Sequence, residues 1–138
     1  MIAVQASGCA PIVKAYNEGH RYAELWQDAY TQAAGIRVPA AVGDFLILDA
    51  IRESNGFATA VSDEAILTMQ ARVALSDGIL LCPEGAATAA ALAQEIDSGR
   101  ISKNEKVVLF NCATGLKYPM PASDQFVDRH FPIDYNQF

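Results

Sequence analysis

Three short stretches of the chain combine a nucleophilic or acidic side chain with the small residues that let a ligand come close. Ser7-Gly8-Cys9 lies just ahead of Pro11, which suits the first turn of a helix. A helix start can hold an anion or lower a thiol pKa. A cysteine hydrolase also needs a histidine base, and the only histidines, His20 and His130, stand in no recognisable motif. A structural thiol is the simpler reading of Cys9. Cys82-Pro83-Glu84-Gly85 places a carboxylate at a second helix start. There Glu84 either complements the helix dipole or forms part of a site wall. Asn111-Cys112-Ala113-Thr114-Gly115 is either a plain turn with a buried thiol or a turn that offers a thiol and a hydroxyl to a ligand heteroatom. Lys117 reads as a solvated lysine and His130 as structural or solvent-facing. Arg37 reads most simply as a surface or structural arginine, and only its charge makes it a candidate for binding an anion. Phosphate-loop, dinucleotide, zincin and serine-hydrolase motifs are absent.

These stretches must be positioned by alternating strands and helices. Ile2–Ala6 is a short apolar run that ends at Ser7-Gly8 and reads as a buried strand. A helix from Pro11 stops at Gly19. His20 to Ala34 carries Leu25, Trp26, Ala29 and Tyr30 at helical spacing, and Gly35 to Pro39 reads as a turn-like insert. Ala40 to Glu53 reads as a helix, capped near Asn55-Gly56, and Phe57–Val61 as a second strand. Ser62 is a strong N-cap for a helix that Gly78 ends, with Asp63 and Glu64 at the positive end of its dipole. After the short apolar segment Ile79–Cys82, Pro83 opens an alanine-rich helix that ends near Ser98-Gly99. Lys106–Asn111 contains four apolar residues in succession and gives the clearest strand signal, with burial on both faces. Tyr118 to Phe138 reads as an irregular tail packed on the surface. The pattern implies parallel β-α-β units of an α/β fold. In such sheets ligands bind beyond the carboxyl ends of the strands, where Ala6–Pro11 and Asn111–Gly115 both fall.

Composition narrows the class. The 138 residues are 51% hydrophobic and 19% charged, which is globular. A net charge of −6 argues against nucleic acid and anionic membranes as partners. Three cysteines with no C-x-x-C spacing argue against a disulfide framework or a metal site. The longest apolar run is short of a membrane span, and the N-terminus has no signal-peptide pattern. The expectation is a soluble cytoplasmic protein. Met1 stands directly inside an apolar, β-prone run, which suggests a position internal to a longer protein.

Five segments together resemble threonine synthase, a member of the type II pyridoxal-phosphate enzymes with the tryptophan synthase β-like fold. They are Val4–Val13, Gly35–Pro39, Val61–Leu67, Leu81–Ala87 and Val107–Lys117, and they follow one another in family order and spacing. The most specific is the last, in which Cys112-Ala-Thr-Gly-Leu-Lys117 fits the family's T/C-x-x-G-L-K pattern. The match covers about residues 1 to 121. It implies that residues 1–121 are the C-terminal part of a cofactor-binding domain, incomplete at the N-terminus, with 122–138 a C-terminal tail. It also implies pyridoxal phosphate as the cofactor and O-phospho-L-homoserine as the substrate, converted with water to L-threonine and phosphate. Cys112 aligns with the hydroxyl or thiol that meets the pyridine nitrogen, and Thr114 is its alternate. Glu84 falls in the segment that resembles a wall of the cofactor pocket, although some relatives carry their acid where this chain has Cys82.

The family's Schiff-base lysine sits in an S-F-K-D-like motif, and none of Lys14, Lys103, Lys106 and Lys117 has that context. The glycine-rich loop for the cofactor phosphate is also absent. The resemblance therefore implies no catalytic residue in this chain, an inactive chain by itself, and the missing N-terminal part of the same enzyme as its partner. A homo-oligomeric parent is compatible with it. The alternatives are another type II lyase (a serine or threonine dehydratase, or cysteate synthase) and a non-catalytic stand-alone α/β binding domain. A dehydratase usually has a serine- and glycine-rich turn where this chain has Asn111–Gly115.

Overall fold

The computed structural model describes residues 1–119 and 127–137. Two strands, β1 (Ile2–Ala6) and β2 (Phe57–Val61), pair in parallel with Ile2 opposite Phe57 and Ala6 opposite Val61. Helices α1 (Pro11–Asn17) and α2 (Asp44–Glu53) lead from β1 to β2, and α3 (Asp63–Asp77) and α4 (Pro83–Asp97) follow. This is the expected α/β pattern with a parallel pair. Pro11 opens α1, and Gln5 Oε1 accepts the N–H groups of Ile12 and Val13, which the first helical turn leaves free. Ser62 caps α3 by accepting the Ala65 N–H, and Gly78 ends it in the left-handed conformation that glycine adopts freely.

Two cores form, one on each side of the strand pair. Ile12, Val13, Leu48, Ile51 and Ala58 bury α1 and α2. Ala6, Val61 and Ile66 pack with Ala86, Ala87, Ala90 and Ala91. The alanines make α4 slim, so it lies close against both strands and α3. Its first turns reach the ends of the strands at Ala6 and Val61. Its far end turns back at Arg100, whose guanidinium stacks 4.6 Å over the Phe57 ring at the start of β2. So α4 runs antiparallel to the strands.

Two readings of local pattern are corrected. His20 to Ala33 forms no helix; only a short 3-10 turn follows at Ala34–Ile36. Its backbone is held by distant partners instead: Ala23 N–H donates to Asp44, Trp26 N–H to Pro39 O and Tyr30 N–H to Gly8 O. Lys106–Asn111 is not a strand. Val108 is 96% exposed and Phe110 77% exposed, because among the described residues no strand lies beside them to complete a ladder. The third helix reading is right but four residues long at its start, since Val42 is fully exposed and α2 begins at Asp44. In the tail, Val127–Asn136 is exposed, with one 3-10 turn at Tyr135–Gln137. The division at 121/122 lies outside the described residues.

Candidate functional site

The polar groups singled out by sequence converge at the N-terminus of α4. Cys82 is its N-cap, and the buried sulfur accepts the Gly85 N–H at 3.3 Å. Residues 113–115 are pinned alongside by backbone bonds, from Cys82 N–H to Ala113 O and from Gly115 N–H to Leu80 O. Asn111 then crosses directly over Gly85. A Cβ at Gly85 would lie 2.2 Å from Asn111 Oδ1 and 3.4 Å from Asn111 Cα, so glycine leaves the room that the Asn111 side chain occupies. Cys112 Sγ comes to rest 3.8 Å from Cys82 Sγ.

Glu84 is 7% exposed and fully engaged. Oε1 accepts the Gly35 N–H at 2.7 Å, and the Tyr118 hydroxyl donates to both carboxylate oxygens at 2.8 Å. Burial pushes the carboxyl pKa up. The bonds from its own N–H, Tyr118, Gly35 and Cys82 outweigh that, and the carboxyl is held below its ordinary value. The same bond to Glu84 is the main reason the Tyr118 hydroxyl is pushed up to about 12. Burial raises the Cys82 thiol despite the Gly85 N–H, so this sulfur is no ready thiolate. Cys9 is buried too, and its thiol is raised by burial against the opposing effects of Val38 and Arg37. This fits the structural reading of Cys9.

Cys112 and Thr114 differ from these. Both are exposed, and Thr114 Oγ1 accepts only the Leu116 N–H, so its hydroxyl proton stays available. The structure thus brings Cys112, Thr114, Cys82 and Glu84 to one end of α4. Lys14 is on α1, paired with Glu24 at 2.8 Å. Lys103, Lys106 and Lys117 are exposed. His130 lies in the exposed tail beside Arg129. Sequence reasoning missed the roles of Tyr118 and Asn111, which depend on residues 26 to 34 positions away, and the hydrogen-bonded set of buried Thr59 and Glu95 with exposed Gln94. Among the described residues no cluster of His, Cys, Asp and Glu could hold a metal ion, and no helix is long and apolar enough to cross a membrane.

A parallel pair with crossover helices, and small-residue turns gathered at one end, define an α/β ligand-binding fold of the open-sheet kind. The chain belongs to the pyridoxal-phosphate dependent enzyme family, whose model matches residues 1–113. Threonine synthase of Methanosarcina acetivorans is 38% identical over 124 residues, covering 90% of this chain and 31% of that protein. Threonine synthase of Methanocaldococcus jannaschii is 34% identical over 119 residues, covering 86% and 29%. The chain therefore spans less than a third of the length of these relatives. Among solved structures, the crystal structure of a threonine deaminase from T.th. superposes with a TM-score of 0.59 at 22% identity, over 74% of this chain and 35% of that one. That likeness establishes the type II pyridoxal-phosphate fold, as the resemblance predicted. Pyridoxal phosphate is the cofactor of the family.

The donor set at the end of α4 fits such a group. Cys112 and Thr114 are both exposed; Cys112 Sγ also contacts the buried Cys82 Sγ at 3.8 Å, and the Thr114 hydroxyl accepts the Leu116 N–H and keeps its own proton free. Neither is a carboxylate that would force a proton onto a pyridine nitrogen.

Proposed function

We propose that this chain is the portion of a cytoplasmic threonine synthase that supplies the cofactor-ring end of the active site. The parent enzyme would act as a carbon–oxygen lyase in threonine biosynthesis, converting O-phospho-L-homoserine and water to L-threonine and phosphate. The observation that carries the reading is the Asn111–Lys117 turn, held against the start of α4 with Cys112 and Thr114 exposed and Cys112 Sγ in contact with Cys82 Sγ. The threonine synthases at 34 to 38% identity support it.

When bound, pyridoxal phosphate supplies an electron sink for the substrate carbons. This chain's contribution is to hold and orient it. Cys112 would meet the pyridine nitrogen with its thiol, and Thr114 stands ready one turn on. Glu84 would act one step back. With Gly35 and Tyr118 occupying its oxygens, it fixes the wall formed by residues 34–36 and 118 rather than touching the ring. The lysine and the glycine-rich phosphate loop of the family belong to the part of the enzyme that this chain does not span.

The test is reconstitution. The chain alone, with cofactor and O-phospho-L-homoserine, is expected to release no phosphate. Mixed with the part of the M. acetivorans enzyme that it does not match, it is expected to restore phosphate release. Cys112→Ala in that complex should shift the cofactor absorbance band and lower turnover. A reconstituted, cofactor-loaded complex that never releases phosphate, or a C112A complex with an unchanged spectrum, would sink this assignment.

A further inference from the structure

Two thiols meet at the start of α4, and the cofactor contact proposed for this end of the helix uses only one of them. Cys82 Sγ and Cys112 Sγ stand 3.8 Å apart, although the residues are 30 positions apart in sequence. The backbone locks their two segments together. Cys82 N–H donates to Ala113 O at 3.3 Å, Gly115 N–H donates to Leu80 O at 3.0 Å, and Leu81 bridges Thr114 in antiparallel register. The fold therefore sets the pair, and no loose loop has to bring it together. Cys9 is buried in the turn after β1, where its N–H donates to Ala6 O, and it touches neither of the other thiols.

The two sulfurs differ in their surroundings. Cys112 is exposed and Cys82 is buried. Cys82 Sγ accepts the Gly85 N–H at 3.3 Å, at the positive end of a 15-residue helix, and lies 3.6 Å from Asn111 Oδ1. In such a dithiol the outer sulfur meets the reagent, and the inner one closes the bond or leaves from it. A disulfide holds its sulfurs about 2 Å apart. The cap fixes the inner sulfur, so closure falls to the exposed Cys112 side chain turning about its own bonds.

We infer that Cys82 and Cys112 are a redox pair, closing to a reversible disulfide that withdraws the Cys112 thiol from the cofactor ring. The effect on the ring rests on the proposed function; the pairing itself does not. The oxidant is a low-molecular-weight disulfide, RSSR. Cys112 loses its proton to water and its thiolate attacks one sulfur of RSSR. The S–S bond of RSSR breaks, and the released RS⁻ takes up a proton. Cys82 then gives its proton to solvent and attacks Cys112 Sγ, which expels the second RS⁻. In sum, RSSR and two protein thiols give one protein disulfide and two RSH, with two electrons passing from the pair to the oxidant. A reducing thiol reverses this by attacking the outer sulfur, and the Gly85 N–H steadies the Cys82 thiolate that leaves. A disulfide sulfur carries no proton, so the closed pair has none to donate to a pyridine nitrogen. In a reducing compartment such a bond is transient, as in redox sensing.

Oxidised glutathione is the probe, added to the full native chain, with alkylation and peptide mass spectrometry as the readout. The expected result is a linked Cys82–Cys112 peptide and a free Cys9, both restored to free thiols by dithiothreitol. Cys82→Ser keeps a side chain suited to an N-cap, so the fold should persist by circular dichroism while oxidation stops at a glutathione adduct on Cys112. Cys112→Ser should form no internal bridge and react at least about tenfold more slowly, because its remaining thiols are buried. A linked peptide that never forms overturns the inference. So does a glutathione adduct on Cys112 that persists with Cys82 present, or a bridge that joins two copies of the chain. The ring is read separately, in the complex reconstituted with the unmatched part of the M. acetivorans enzyme. There oxidation should shift the cofactor absorbance band and a reducing thiol should restore it. A bridge that forms without moving the band leaves the redox pair standing and breaks the placement of Cys112 at the ring. A band that moves on Cys112→Ala, in a complex that never forms the bridge, does the reverse.

Discussion

The first turn of α4 and the run Lys106–Phe110 are neighbours in the fold and opposites in their state. At the helix start, Cys82, Glu84 and Gly85 lie in a closed arrangement where each polar side chain has a partner within the same chain. Along the run, four apolar side chains stand in succession and the backbone has no hydrogen-bond partner among the described residues. The second stretch is the more hydrophobic, yet it is the exposed one. Burial depends on whether a facing surface exists, not on the side chain's own preference.

Core truncation should separate the two regions most sharply. Ile66 is fully buried between α3, α4 and the strands, so Ile66→Ala should cost about 2–5 kcal/mol in urea unfolding. Val108→Ala should fall within about 0.5 kcal/mol of the parent chain. A Val108→Ala loss comparable to that of Ile66→Ala would mean that the run is covered in solution.

The glycine under Asn111 is the next lever. Gly85→Ala brings a Cβ against Asn111 Oδ1, so the Asn111 side chain must swing away and give up its contact with Cys82 Sγ. The expected cost is about 1–3 kcal/mol, together with faster alkylation of Cys82 by a thiol reagent. Unchanged stability and reactivity would mean that the two stretches are not in contact.

Removing the Tyr118 hydroxyl tests the closed side by pH. Tyr118→Phe should destabilise the chain by about 1.5–3 kcal/mol near neutrality, the range for a bond to a charged group. The Tyr118 pKa is raised in the fold, so the contribution is complete below its ordinary value of 10.0 and is lost as pH rises through about 12. The Glu84 pKa is lowered, so the same interaction is complete above the ordinary carboxyl value of 4.5 and is lost as pH falls through the depressed value. Y118F should therefore remove the alkaline loss and shrink the acid one. A parent and variant with parallel stability–pH curves would refute the bond.

The smallest effect expected is at the α3 cap. Ser62→Ala forfeits the bond to the Ala65 N–H and should cost about 1 kcal/mol, read from the urea midpoint.

Much of the fold was legible in the sequence because its signals are local. Both strands, Pro11 and Pro83 at helix starts, Ser62 as a cap and Gly78 as a stop follow from steric and hydrogen-bonding preferences that act over a few residues. The candidate site was legible in part. The turn around Cys112 and Thr114 and the acid at Glu84 stood out by type and spacing. Their convergence, the Cys82 cap, and the partnership of Glu84 with Gly35 and Tyr118 were set only by packing, since they join residues up to 49 positions apart. His20 to Ala33 shows the same limit from the other side. Its helical spacing yielded to long-range bonds with Gly8, Pro39 and Asp44. Lys106–Asn111 shows it most plainly: the sequence determined that the run is fit for a strand, but a strand also needs a neighbour, and only the tertiary structure decides whether one is there.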